Sequence, residues 1–407
     1  MKILVQKFGG TSVSSRAMRE HAINHIARAH EEGYAVVVVV SAMGRAGDPY
    51  ATDTLLSLIP DEDKLTARDC DLLMSCGETI SSVIFGAMLR ARGFEVAVLS
   101  GAQAGIRTTS EFGDARIAEI DPARIKRELH SGQIVVVSGF QGLTVEGEIT
   151  TLGRGGSDTT ATALGVALDA DYIDIFTDVD GIMTADPRIV DGAVRLDRVT
   201  YYEICNFAYQ GAKVIHPRAV ELAMQKNIPI RVRATGRTDL GTLVTSAPHQ
   251  WEARHPQDRI LTGVTHSANL TQVKVQHPLG RSGFQTQVFD AMAQAGISLD
   301  FFNVTPTEVV FTVPEGKADA AVSLLTQMGM IVATVPNVAK VAAVGAGIHG
   351  VPGVMARIVS ALSAEEIEIL QSADSNTTIW CLVHEADLIK AIRAIHHKFD
   401  LHSLGGM

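Results

Sequence analysis

Chemistry-bearing residues appear first in Lys7-Phe8-Gly9-Gly10-Thr11-Ser12, directly behind the apolar run Ile3-Leu4-Val5. A lysine at a strand end, bare glycine amides and a helix start are the parts of a phosphate cradle. Their order differs from the GxxxxGK[ST] loop, where the lysine follows the glycines, and on these residues alone the stretch is more simply a turn. A second stretch, Gly153-Arg154-Gly155-Gly156-Ser157-Asp158, sets an arginine between glycines, where it packs against little, ahead of a helix that Ser157 or Asp158 is expected to cap. Arginine so placed suits bidentate binding of a carboxylate or phosphate. A carboxylate beside an anion site is costly unless it organises cations, and this is the expected use of Asp158. A third stretch runs from Thr177-Asp178 through Met183 to Asp186-Pro187-Arg188. Its Asp and Thr side chains can reach ribose hydroxyls and its arginine a phosphate. Gln210-Gly211-Ala212-Lys213-Val214 then supplies a second lysine after a glycine.

These groups need a scaffold, and the pattern indicates one. Strands are expected at 3–7, 35–41, 95–99, 134–138, 172–176 and 228–232, with helices at 17–32, 66–91, 159–168 and 218–226 between them. Such alternation predicts an α/β domain with a mostly parallel sheet and helices on both faces. Ligands of such sheets bind beyond the carboxyl ends of the strands, and each glycine-rich stretch follows a strand. The run Ala35–Val40 is too short to cross a membrane and reads as a strand buried on both faces.

The texture changes near residue 245. Turn formers over 246–258 read as a linker. Beyond it, residues 288–313 repeat at 358–383, an offset of 70 without a gap: Val288 meets Ile358, Ile297 meets Ile367 and Val313 meets Val383. Each copy reads strand, glycine turn, helix, strand, strand, helix. The first copy can close with a fourth strand near 331–335; the second has no chain left for one. The spare strand at 260–266 is therefore expected in the second copy's sheet, which interleaves the two modules. The division so read is 1–245, the linker 246–258, a first module at 268–336, and a second made of 259–267 plus 337–407. The GxGxxG match at 345–350 falls at a strand-to-helix turn of the second module, where it reads as a turn or effector loop and not as a dinucleotide site.

The formal net charge is −10 and no long basic run occurs, which excludes the electrostatic footprint of a nucleic-acid binder. The four cysteines form no CxxC pair and no zinc spacing. Free thiols and a start without a signal pattern lead to the expectation of a cytoplasmic protein that neither spans nor binds a membrane.

Taken in order, KFGGTSV, VVVVVSAMG, SCGETIS, GRGGSDTTA, TDVDGIMTADPR and GAKVIHPRAVE resemble the motifs of aspartokinases, members of the amino-acid kinase superfamily. The match spans the first 245 residues, and the duplicated modules resemble the family's paired ACT (βαββαβ) regulatory domains. The stretches 44–53 and 370–375 look most like the diaminopimelate-sensitive branch found in bacilli. The resemblance implies transfer of a phosphoryl group from ATP, with Mg²⁺, to the β-carboxylate of L-aspartate. That is the first step toward lysine and diaminopimelate, threonine and methionine, under feedback control. Another amino-acid kinase, or a non-catalytic ACT sensor, are the alternatives.

The resemblance also implies roles. Lys7 and Lys213 would neutralise the transferring phosphoryl group and Asp158 would hold them. Gly9, Gly10 and Ser12 would line the phosphate site. Arg154 would clamp a substrate carboxylate and Glu78 the ammonium, with Ser41, Thr52 and Ser157 completing the pocket. Thr177, Asp178, Met183, Asp186, Arg188 and Val214 would hold the nucleotide. No protein metal site is implied. An amino-acid effector, meso-diaminopimelate in preference to lysine or threonine, would bind near Ser282, Gly283, Ser298, Asp300, Asn303, Gln371 and Asp374 in a homodimer joined through the ACT domains. Two departures stand out. Met183 occupies a position where many relatives carry tyrosine, and Val304 replaces the glutamine of an effector motif read here as Leu299-Asp300-Phe301-Phe302-Asn303-Val304.

Overall fold

The computed structural model describes residues 1–59, 65–212, 214–246, 260–278, 283–346, 348 and 350–405. Lys213, Ser282, nearly all of the expected linker and two residues of the GxGxxG match lie outside these.

The chain packs as two units. The first contains residues Met1–Ile182, Arg195–Tyr209 and the chain from 214 to the linker. Its eight-stranded sheet runs in the order Arg198–Thr200, Thr242–Thr245, Ile230–Ala234, Tyr172–Thr177, Ile3–Phe8, Ala35–Val40, Ile134–Ser138, Val96–Leu99. All neighbours are parallel except Ile230–Ala234 with Thr242–Thr245. The five consecutive valines of Ala35–Val40 are fully buried, as expected for a central strand whose branched side chains pack on both faces. One face carries a core of Leu4, Phe8, Ile23, Ile26, Val38, Phe85 and Leu89. The helix Gly156–Leu168 lies on the other. There Gly165 permits close approach, since a Cβ would fall 2.5 Å from the end of Ile173.

One feature of this unit is not expected from the pattern. The strands Ile106–Thr108, Ile117–Ile120, Gln141–Leu143 and Ile149–Thr151 form a separate four-stranded sheet, and each is too short to show an alternation. The helix Ala67–Ala91 is long and apolar enough to cross a membrane by length and composition. However, it buries Asp71, Ser75, Glu78, Ser81 and Ser82. Asp71, with no exposure, accepts from the Thr151 amide and hydroxyl (both 2.7 Å) and from the Gly113 amide at 3.0 Å. A carboxylate with three donors ties the small sheet to the helix.

The second unit's sheet runs Asp300–Val304, Glu308–Pro314, Gly263–Gln276, Ile331–Val344, Thr378–His384, Gln371–Asp374. Two 14-residue strands serve both modules. Residues 263–267 pair with 340–344, which pair on their other side with 378–382, while residues 272–276 pair with 331–335. The modules are interleaved as the strand count predicted, but the spare strand starts at Gly263 and continues into the first module's strand. The repeat holds in detail: the helices Phe284–Gln294 and Val354–Ala364 start 70 residues apart, each behind a left-handed glycine, Gly283 (φ 88°) and Gly353 (φ 87°).

The two units part within the expected linker, but residues 1–245 do not all pack as one unit. Residues Met183–Val194 and Gln210–Ala212 belong to the second unit. Ala185 and Val190 are buried in the core of the second module. Thr184 Oγ1 lies 3.0 Å from His396 Nε2, the Val264 amide donates to the Thr184 carbonyl at 2.7 Å, and Arg393 donates to the Ile189 carbonyl at 2.7 Å. Gly211, at φ 110°, has room for no side chain, since a Cβ would sit 1.9 Å from the His266 carbonyl oxygen. Tertiary packing overrides sequence adjacency here.

Candidate active site

The site forms at the carboxyl ends of the central strands. Lys7 sits one residue before the end of Ile3–Phe8, and the neighbouring strand ends at Thr177. Stacking of Phe8 on Phe176, with ring centroids 4.6 Å apart, locks the two ends together, a contact of about 0.5–1.5 kcal/mol. Beneath them Asp174, fully buried, pairs with Arg231 and with Arg233 at 3.1 Å. Arg233 also donates to the Asp239 carbonyl at 3.1 Å and so holds the turn after Ile230–Ala234.

Gly10 is needed for contact with the next loop. Its carbonyl accepts from the Gly44 amide at 3.0 Å, and a Cβ would lie 2.5 Å from the Gly44 carbonyl and 2.9 Å from that of Ala42. At Gly9 a Cβ would meet the Lys7 ammonium at 3.3 Å. Gly10→Ala is therefore expected to lower Tm by the equivalent of about 1–3 kcal/mol. Gly9→Ala presses on a movable side chain and lowers kcat with little change in Tm. Calorimetry beside steady-state kinetics separates the two.

Lys7 Nζ lies 2.6 Å from Asp158 Oδ1, with both side chains largely buried. Asp158 is in the first turn of Gly156–Leu168, whose cap is the left-handed Gly155 (φ 71°). Neither Ser157 nor Asp158 caps the helix, as had been expected: the helix begins before them and Asp158 is spent on Lys7. Gly155 has no space for a side chain, since a Cβ would fall 2.3 Å from that of His216.

A cavity of about 580 Å³ opens beside this pair and is lined by Lys7, Gly10, Ser41, Thr52, Glu78, Arg154, Ser157 and Asp158. Every residue expected in the acceptor pocket therefore faces one space. Glu78 is the most perturbed of them. Its Oε1 accepts from the Ala42 amide at 2.9 Å, while Oε2 is buried without a partner. Burial pushes its carboxyl up to about 8, against the opposing pull of the Ala42 amide and Lys7. Its unpaired oxygen suits a cationic ligand group. Arg154 is exposed at the rim. Arg45 lines the same cavity and was missed, although it sits between Gly44 and Gly47 much as Arg154 sits between glycines.

The expected nucleotide residues are not gathered equally. Gly9, Gly10, Thr177, Asp178 and Val214 belong to the first unit; Met183, Asp186 and Arg188 belong to the second. Thr177 Oγ1 donates to Asp178 Oδ1 at 3.2 Å, and Asp178 pairs with Arg45. Asp186 takes a bidentate pair from Arg188, at 3.0 and 2.7 Å, which holds its carboxyl below the usual range. Ser12 differs from expectation. It is buried, its hydroxyl accepts from Thr235 Oγ1 at 2.6 Å and its amide donates to the Gly9 carbonyl, so it staples the turn.

Of the expected effector residues, Asp300 pairs with the buried Lys340. Gln371 donates to the Phe301 carbonyl at 2.7 Å and accepts from Gln272 at 2.9 Å. Asp300 and Gln371 thus meet around Phe301. Gly283 starts a helix, and Ser298, Asn303 and Asp374 are exposed. Among the described residues no group of three or more His, Cys, Asp or Glu is placed to hold a metal ion.

The amino acid kinase family model matches residues 2–234, and an ACT domain model matches 333–397. The chain is 58% identical to aspartokinase 1 of Bacillus subtilis over 98% of this chain and all of that protein. The chain belongs to the aspartokinases. The crystal structure of E. coli aspartokinase III in complex with aspartate and ADP (R-state) superposes with a TM-score of 0.81 at 26% identity, covering 98% of this chain and 99% of that one. The same enzyme in complex with lysine and aspartate (T-state) gives 0.75 over the same shares. The aspartokinase fold is therefore an amino-acid kinase unit joined to an ACT unit, and the cavity beside Lys7 and Asp158 lies in the former.

Proposed function

We propose that the chain phosphorylates L-aspartate on its β-carboxylate with ATP, and that the cavity at Lys7 is where the acceptor binds. The observation that carries this reading is the placement of a buried, half-partnered Glu78 and a Lys7–Asp158 pair on one cavity. The first suits the substrate ammonium and the second the phosphoryl group. An aspartate side chain has a pKa near 3.9 and is ionised at neutral pH, so no general base is needed. A carboxylate oxygen attacks the γ-phosphorus, the bond to the β–γ bridging oxygen breaks, and ADP leaves. Catalysis then consists of positioning and charge stabilisation. Lys7 neutralises the phosphoryl oxygens, with Lys213 as its proposed partner, and Asp158 fixes Lys7. The first-turn amides of Gly156–Leu168 add a favourable field. Ser41, Thr52 and Ser157 bound the acceptor, and Arg154 clamps its α-carboxylate.

ATP enters as its Mg²⁺ complex. Asp158 and Asp178, in the proposed phosphate region, are each paired with a cation, so the metal would rely little on protein carboxylates. The nucleotide is assigned to Gly9, Gly10, Thr177, Asp178 and Val214 of the first unit, with Ser12 supporting the turn. Within residues 1–245 the catalytic part is assigned to the first unit, residues 268–336 to the first ACT domain, and 259–267 with 337–407 to the second. We assign the effector to the Asp300–Gln371 region, in a cytoplasmic homodimer joined through the ACT domains. The E. coli neighbour binds lysine; meso-diaminopimelate is favoured here only through the resemblance of 44–53 and 370–375 to the diaminopimelate-sensitive branch, while Val304, in place of a glutamine, weakens the case for lysine or threonine.

Three measurements test the reading. Coupled ADP-release assays should show turnover with aspartate and not with glutamate. Arg154→Ala should raise KM for aspartate about 10- to 100-fold, the worth of one charged hydrogen-bonded pair, with a smaller effect on kcat; unchanged KM removes Arg154 from the pocket. Titration with diaminopimelate, lysine and threonine separately should give inhibition by the first, and no response to it sinks that effector.

A further inference from the structure

Arg45 falls in the stretch 44–53 without an expected role there, yet it lines the acceptor cavity with Lys7 and Asp158. Its backbone is fixed. The Gly44 amide is bound to the Gly10 carbonyl, the Arg45 amide donates to Asp48 Oδ2 at 2.8 Å, and the Gly47 amide donates to Thr54 Oγ1 at 3.1 Å. Gly44, at φ 90°, admits no Cβ, which would fall 2.3 Å from the Asp48 carboxylate. The loop therefore presents Arg45 next to the glycine turn that follows Lys7. Its side chain behaves differently: it is 70% exposed and its partner, Asp178, is 48% exposed. An exposed ion pair of this kind contributes little stability and is readily exchanged for a better anion.

Asp178 follows the strand Tyr172–Thr177, so the pair joins the acceptor loop to the loop assigned to nucleotide. A negative side chain at that place would repel a polyphosphate unless a cation stood beside it. Charge makes the same demand from the other side. The acceptor carboxylate and the γ-phosphoryl group are both anions, and the charge of Lys7 is already balanced by Asp158.

Resting on the aspartate kinase reading, we propose that Arg45 is a catalytic residue that contacts the γ-phosphoryl group, and that Asp178 holds it in the absence of nucleotide. Its planar fork matches two phosphoryl oxygens at once, which a lysine cannot do.

Binding of ADP and of a non-hydrolysable ATP analogue to wild type, Arg45→Ala and Arg45→Lys by calorimetry tests this. Arg45→Ala should weaken the analogue about 10-fold and leave ADP within twofold, with kcat about 100-fold lower; Arg45→Lys should recover only part of both losses. Equal weakening of ADP and analogue, or no change in either, overturns the proposal. The titrations read the γ-phosphate contact without any acceptor. A wild-type enzyme that fails to turn over ATP with aspartate would sink the substrate reading and leave the Arg45 result to stand or fall separately. An unchanged Tm in Arg45→Ala checks that the exposed loop still folds.

Discussion

Lys7→Ala is expected to lower kcat by about 10²–10³-fold, the usual cost of one group aimed at developing transition-state charge. KM for aspartate should change much less, because Glu78 and Arg154 are untouched. The substitution also leaves Asp158 largely buried and without its cation, and removing one partner of a buried pair destabilises by about 3–5 kcal/mol. A melting curve must therefore accompany the kinetics. Lys7→Ala combined with Asp158→Asn removes the orphaned charge and should recover much of the lost Tm without recovering kcat. Near-normal turnover in Lys7→Ala, or kcat that returns along with Tm, would mean that Lys7 is structural.

The second large effect concerns Glu78. Burial penalises its charged form and pushes its carboxyl up to about 8. Only the ionised form can pair with a substrate ammonium. Log kcat/KM for aspartate should therefore rise with pH at a slope near 1 below about pH 8, then level off. Glu78→Gln should abolish that rise and lower kcat/KM about 10- to 100-fold at pH 8. Stability moves oppositely. A carboxyl whose folded value is raised from 4.5 to about 8 holds a proton that the unfolded chain releases between those values. Stability of the ligand-free enzyme therefore falls as pH rises across that window, and Glu78→Gln should remove this slope. A flat kcat/KM profile in the wild type would take Glu78 out of ammonium binding.

How much of the site was legible depends on whether a residue acts through local structure. Gly9-Gly10 and Gly153-Arg154-Gly155-Gly156 announce themselves because backbone turns are written in neighbouring residues, and both turns lie where strand ends place them. Helix capping was misread at Ser157 and Asp158, because the cap preference assumes a side chain free to bond its own helix, and Asp158 is taken by Lys7. Ser12 was read as a phosphate donor for a similar reason. Its partner, Thr235, lies 223 residues away and leaves no local trace.

Arg45 shows the converse. The glycines on either side of it were visible, but only the meeting of Gly10 with Gly44 brings the loop to Lys7.

By itself the sequence determined the alternating α/β core, the duplicated modules and even their interleaving. Periodicity, an offset of 70 and a count of strands against remaining residues are properties of a linear chain. Only the tertiary structure decided that residues 183–194 and 210–212 pack with the regulatory unit. It alone left one oxygen of Glu78 buried without a partner, and it alone closed Asp158 onto Lys7. Those outcomes depend on which groups lose water and which distant partners replace it, and that is settled when the units pack, not when the chain is written.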